Sequence, residues 1–191
     1  IANQNLHAVQ QADLIIITHP QFLNEAMRIA QLHQDFDTLT YVVATTDQVY
    51  NEFSSGTPDI GAIREFTRML YKRPLNPGLA TQYLLLFGDG SYKNKDISTA
   101  SNSALIPTYE TFNSTSNLNS FVTDDYFAMM DDNEGDMTSG LVDIGVGRFP
   151  VRSKSEAEAV TNKMEHYYKR NFSFNANATE SSCNIASNNY P

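Results

Sequence analysis

Tryptophan is absent from these 191 residues and cysteine occurs once, at Cys183. A lone thiol closes no internal disulfide, so the fold has to come from packing, and this cysteine usage suits the cytosol and a bridge-free secreted protein equally. Positive charge is scarce as well: 13 Lys and Arg stand against 22 Asp and Glu, a formal net charge of −9. Such a balance gives no electrostatic hold on phosphate backbones or anionic lipid and argues against nucleic acid as a partner. Long apolar runs are missing too; none approaches the roughly 18–20 residues that cross a bilayer as a helix. Ile1 is neither a start methionine nor part of a basic region ahead of an apolar one, so the sequence reads as beginning inside a longer protein. No internal repeat is visible.

What is present suits a globular domain, with 41% hydrophobic and 11% aromatic residues, and excludes a wholly disordered chain. Asp13-Leu14-Ile15-Ile16-Ile17-Thr18 is a continuous apolar run of the kind that forms a strand covered on both faces. Leu23, Met27, Ala30 and Leu32 are then spaced as on a helix over 21–33, with Pro20 at its first turn. Tyr41 to Thr45 repeats the buried-strand pattern. Thr57-Pro58-Asp59 offers an N-cap, a first-turn proline and an acid for a second helix near 59–72, which Arg73-Pro74 stops. Tyr83 to Phe87 is a third apolar strand, ended by Gly88-Asp89-Gly90. This β-α-β-α-β series predicts an α/β fold, a mostly parallel sheet of about four to six strands with helices on both faces.

Residues 91–120, rich in Ser, Asn and Thr, read as a long surface excursion. Phe121 to Met130 and Leu141 to Val146 flank the acidic connection Asp131-Asp132-Asn133-Glu134-Gly135-Asp136 as a hairpin-like pair would. Ser153 with Glu156 makes a capping-box pattern for a last helix near 153–170, with Ala157, Val160, Met164 and Tyr167 or Tyr168 on its apolar face. The expected organisation is one α/β unit over 1–171 and a polar, poorly ordered tail over 172–191.

Ligands of open α/β sheets gather at the carboxyl ends of the strands. Here that edge is expected to carry His19, Thr46-Asp47-Gln48 and Asp89, either as site residues or as turn and capping groups. The acidic residues Asp124, Asp125, Asp131, Asp132 and Glu134 are hard oxygen ligands dense enough for calcium. Their spacing fails the EF-hand loop, because from Asp131 the fifth place holds Gly135 and the sixth Asp136; a solvated turn is the competing reading. His166 and Cys183 share the C-terminal stretch, but nothing fixes the thiol or lowers its pKa, so an inert cysteine and a surface histidine are expected. Gly88-Asp89-Gly90 lacks the Lys-Ser/Thr ending of a phosphate-binding loop.

Six ordered motifs carry a family resemblance. They are Ala12 to Pro20, Thr45 to Gly56, Tyr83 to Tyr92, Ile106-Pro107-Thr108-Tyr109, Thr123-Asp124-Asp125-Tyr126-Phe127 and Asp143-Ile144-Gly145-Val146-Gly147-Arg148-Phe149-Pro150. Over about residues 4–170 the chain resembles the gingipain-type cysteine peptidases, most closely their cell-surface sortase branch in the type IX secretion system of Bacteroidetes. The resemblance implies a caspase-like catalytic domain of two side-by-side subdomains, of which this chain is the first. It also implies surface localisation and, as partners, the C-terminal signal domains of exported proteins, other secretion-system components and the second subdomain, whose face here is expected to be apolar. The implied activity is removal of that signal and transfer of the cargo to anionic lipopolysaccharide. Family members bind calcium. The family's histidine lies in an Asn-Tyr-x-Gly-His-Gly type motif and its cysteine ends a later apolar strand; neither pattern occurs here, so no catalytic residue is carried over and the chain by itself is expected to be inactive. The competing reading is a non-catalytic binding or signalling module of flavodoxin-like shape. Strand one ending in Thr18-His19, without the paired acids of a receiver domain, speaks against that version of it.

Overall fold

The computed structural model describes residues 3–73, 80–91, 94, 105–113, 115–135 and 139–173. Four parallel strands form its sheet: β1 (Leu14–Thr18), β2 (Tyr41–Thr45), β3 (Tyr83–Phe87) and β6 (Gly145–Phe149), in the order β2-β1-β3-β6. The register runs Ile16 beside Val43 and Leu85, and Leu85 beside Gly147. A separate antiparallel pair joins β4 (Tyr109–Glu110) to β5 (Val122–Thr123).

The central strand explains the layering. Every residue of β1 is buried, so alternate side chains feed two cores. Ile15 and Ile17 enter one core with Leu84 and Leu86, roofed by α2 (Thr46–Phe53) and α3 (Ile60–Tyr71) through Val49, Ile63, Phe66 and Leu70. Leu14 and Ile16 enter the other with Phe22 and Phe87, roofed by α1 (Leu23–Asp37) and α4 (Lys154–Ser173) through Ala26, Ile29, Ala30 and Ala157. Each fully buried isoleucine contributes about 2 kcal/mol, which makes β1 the anchor of both layers.

Caps fix where the helices start. Asp59, rather than Thr57, is the N-cap of α3, its Oδ1 accepting from Gly61 N–H at 2.8 Å; Pro58 therefore lies outside the helix. Pro20 opens a short 3-10 turn over 20–22 and the α-helix begins only at Leu23. At α4 the Ser153 and Glu156 capping box forms as the pattern predicts, with Ser153 Oγ accepting from Glu156 N–H and Glu156 Oε2 from Ser153 N–H, both at 3.3 Å. Helix α2 falls on residues read as a strand-end loop; its box of Thr45 and Gln48 is the same chemistry.

The expected hairpin of 121–130 with 141–146 does not form. Val122–Thr123 pairs instead with Tyr109–Glu110, Asp125–Ala128 is a 3-10 turn packed on α3, and Gly145–Phe149 joins the main sheet beside β3. The reason is burial: Phe127, Ala128 and Met130 fill the core above β3 and β6, which a solvated hairpin would have left open. The tail from residue 174 onward, with Cys183, and Asp136 lie outside the described residues.

Candidate functional site at the carboxyl edge

Strand ends place the expected residues along one edge. His19 follows β1 and caps the 20–22 turn, its Nδ1 accepting from Gln21 N–H at 3.3 Å. Burial lowers its pKa against the pull of the Asp47 charge, and because Nδ1 accepts from Gln21 N–H, the neutral ring carries its proton on Nε2. Asp47 sits in the first turn of α2, where its charge suits the helix dipole. Asp89 follows β3 and organises three segments. Its Oδ1 accepts from Gly90 N–H at 2.9 Å and its carbonyl from Leu105 and Ile106 N–H at 3.0 and 3.1 Å. Its own N–H donates to Val151 O at 3.0 Å, while its carboxylate pairs with Arg152 Nε.

The strongest single node is Arg148, on β6. All five guanidinium N–H groups are used. Nε and Nη2 donate to the two oxygens of Asp124 at 2.8 and 2.7 Å. Nη1 donates to Gly88 O at 2.9 Å and Ile106 O at 3.0 Å, and Nη2 to Pro107 O at 3.3 Å. A fork of this geometry matches a carboxylate bidentately, and it ties the end of β3, the 106–107 segment and the start of the 125–128 turn to one strand. Beside it lies a cleft of ≈ 450 Å³ lined by Asp89, Gly90, Thr108, Thr123, Asp124 and Arg148. Thr108 Oγ1 is buried there without a hydrogen-bond partner among the described residues.

The acidic residues separate into distinct settings. Asp124 is held by Arg148. Asp125 is exposed at the start of the 125–128 turn, its N–H donating to Thr123 Oγ1 at 3.1 Å. Asp132 pairs with Arg68 of α3 and with Lys72, the residue that ends that helix, and Lys72 above all keeps its pKa low. Asp131 and Glu134 instead meet Asp143, the three offering carboxylate oxygens within 4.8 Å of one another. Glu134 is preorganised there by accepting from Leu141 N–H at 2.9 Å and Asp131 N–H at 3.2 Å, and Asp143 Oδ2 accepts from Met130 N–H at 2.7 Å. Three carboxylates with lone pairs to spare fit a hard divalent cation such as calcium, the remaining ligands being water. Asp143 was not among the acidic candidates, because it lies beyond the connection and reaches it only through the fold.

The loop carrying these acids is clamped by cations through its main chain. Arg64 donates to the carbonyls of Met129 (2.8 Å), Glu134 (3.0 Å) and Asp131 (3.3 Å), and Arg68 to that of Met130 (2.9 Å). Gly135, at φ +91°, makes the closing turn; a Cβ there would lie 3.1 Å from the Arg64 guanidinium carbon. His166 is exposed on α4.

Away from this edge, a larger groove of ≈ 600 Å³ opens on the α1 and α4 side of the sheet, floored by Tyr83, Leu85, Gly145, Gly147 and Phe149. It is apolar apart from His33 and Asp37 and holds none of the strand-end residues. Its size exceeds that of the edge cleft; of the expected strand-end residues Asp89 lines the cleft, while His19 and Asp47 line neither.

The fold has known counterparts. In crystal structures, the chain is similar to dimeric latent PorU from Porphyromonas gingivalis, at 37% identity and a TM-score of 0.73, over 87% of this chain and 16% of that one. It shares its fold with the Arg-specific cysteine proteinase gingipain R, at 17% identity and a TM-score of 0.54, over 86% of this chain and 30% of that one. The chain thus spans less than a third of either of those chains. No curated protein matches it. The model of peptidase family C25 matches residues 7–190, through every strand and helix described above, and the chain belongs to that family, the gingipain-type cysteine peptidases.

Proposed function

We propose that this chain is the first α/β subdomain of the catalytic domain of a cell-surface cysteine peptidase and sortase of the PorU kind. The observation that carries the reading is the 37% identity with PorU over 87% of the chain. Within that reading the whole protein cleaves the C-terminal signal domain from type IX cargo and transfers the cargo to an amine on anionic lipopolysaccharide. Its thiolate attacks the scissile carbonyl, histidine manages the protons, and backbone N–H groups hold the oxyanion. Histidine and cysteine come from the second subdomain, since the family's motifs for them are not among these 191 residues. The carboxyl edge built on Asp89, Arg148 and Arg152 supplies a wall beside that site.

Two features support the two-subdomain arrangement. Strand β6 has no partner on its outer edge among the described residues. Gly147 bares its backbone towards the apolar groove, with open space where a Cβ would stand, so another element can approach closely, whereas the Tyr83 ring covers Gly145. Calcium, held by Asp131, Glu134 and Asp143, is proposed as a structural ion that ties residues 130–134 to 141–143.

The test is cleavage of a cargo protein bearing its signal domain, with a free amine as acceptor. The full-length protein is expected to release the signal and join cargo to amine, and the 191-residue chain to do neither. Signal left uncleaved by the full-length protein refutes the assignment, as does turnover by the short chain that Cys183→Ala abolishes.

A further inference from the structure

Strands β4 and β5, with the turn between them, form an arm beside the carboxyl edge. Its inner side is anchored, Tyr109 being buried and stacked on Tyr126 with ring centroids 5.0 Å apart. Its exposed residues are apolar: Phe112 and Leu118 keep 92% and 94% of their surface exposed, and Phe121 and Val122 about half of theirs, Val122 facing outward with Glu110 and Phe121 lying on the Tyr109 face. Isolated exposed apolar residues are ordinary, but four on one short arm mark a contact element.

Hydrogen bonds brace the arm. Thr111 Oγ1 donates to Asn119 O at 2.9 Å, Thr111 N–H to Phe121 O at 3.3 Å and Ser120 N–H to Ser116 O at 2.9 Å. These bonds keep Phe112 and Phe121 on the walls of a notch of ≈ 400 Å³ floored by Tyr109. A preformed notch lowers the ordering cost of whatever enters it.

Charge narrows the occupant. From Leu105 to Asp125 there is no lysine or arginine; with Asp124 taken by Arg148, Glu110 and Asp125 are the acids this face presents. Glu110 is the register partner of Val122, so acid and apolar side chain share one outward face. The outer edge of β5 is unpaired among the described residues. An anionic bilayer would be repelled by this face; an extended peptide with apolar and basic side chains would be held by edge hydrogen bonds, the notch and the acids together.

We propose that this arm docks an extended, apolar and cationic polypeptide segment along β5, with an apolar side chain seated between Phe112 and Phe121. It rests on the peptidase reading above, in which the segment is the cargo strand leading to the cleaved bond.

The experiment measures fluorescence anisotropy of two labelled decapeptides, one alternating Val and Lys, the other Val and Glu, with the full-length protein. The Val-Lys peptide is expected to bind and the Val-Glu peptide not. Phe112→Ser combined with Leu118→Ser should weaken binding about tenfold or more, with an unchanged melting temperature because both side chains are exposed. Equal binding by the double variant overturns the proposal, as does equal binding of the Val-Glu peptide. So does phosphatidylglycerol-vesicle flotation or self-association that the double variant loses. Binding is read without turnover: a protein that holds the Val-Lys peptide through the arm yet cleaves no cargo refutes the peptidase reading alone, while cargo cleavage with KM unchanged in the double variant refutes the arm alone.

Discussion

Arg148 and Asp124 face one another as fork and carboxylate, Nε to Oδ2 at 2.8 Å and Nη2 to Oδ1 at 2.7 Å, with 11% and 23% of their side chains exposed. Removing the guanidinium leaves the acid unpaired and strands the carbonyls of Gly88, Ile106 and Pro107. Arg148→Ala should therefore cost about 3 kcal/mol or more in urea denaturation, and Arg148→Lys should recover only part of it, because an ammonium does not reproduce the fork. A loss below about 1 kcal/mol would make the pair an ordinary surface contact.

Acid sensitivity is expected at the N-terminal segment. Burial raises the Glu52 pKa, but the Leu6 N–H, the His7 ring and Gln4 together outweigh it and hold the carboxyl below its ordinary value. Leu6 N–H lies 2.8 Å from both carboxylate oxygens, and His7 Nδ1 is 2.8 Å from Oε2. A depressed folded-state pKa gives stability that is complete above the unfolded value of about 4.3 and is lost as pH falls through the folded one. The melting-temperature gap between the native protein and Glu52→Gln should be widest near neutral pH and close in acid. A gap independent of pH contradicts the assignment.

Millimolar calcium should raise the melting temperature through the proposed carboxylate site, since a ligand of the folded state stabilises by mass action. Asp143→Asn should abolish the rise and Asp125→Asn should leave it intact. No shift in the native protein would leave Asp131, Glu134 and Asp143 as a solvated acidic turn.

Strands 41–45 and 83–87 and the core of the first at 14–18 were legible because each writes a continuous apolar run, although only β1 is buried throughout, β2 being an edge strand and β3 starting on exposed Tyr83. Strand β6 was not, for the opposite reason: Gly145-Val146-Gly147-Arg148-Phe149 lies at an edge, carries two glycines and spends its arginine on a polar network. Helix α2 begins directly after β2, with no loop to announce it. Its capping pattern, Thr45 with Gln48 three places on, was the available signal.

At the site, Asp89 and His19 were placed at the sheet edge by topology alone, which strand-end logic captures. The choice among acids was not readable, because composition counts carboxylates without showing which cations lie opposite. Arg148 takes Asp124 from 24 residues away, and Arg68 and Lys72 take Asp132 from more than 59 away.

The grip of α3 on the acidic loop has an evolutionary consequence. Arg64 and Arg68 hold residues 129–134 mainly by carbonyl oxygens, which every amino acid provides. Side chains at positions 131 to 133 are thereby freed from most of the duty of keeping the loop in place. Relatives should drift at these positions while retaining the two arginines and Gly135, so that ion preference or surface charge can be retuned without refolding the domain.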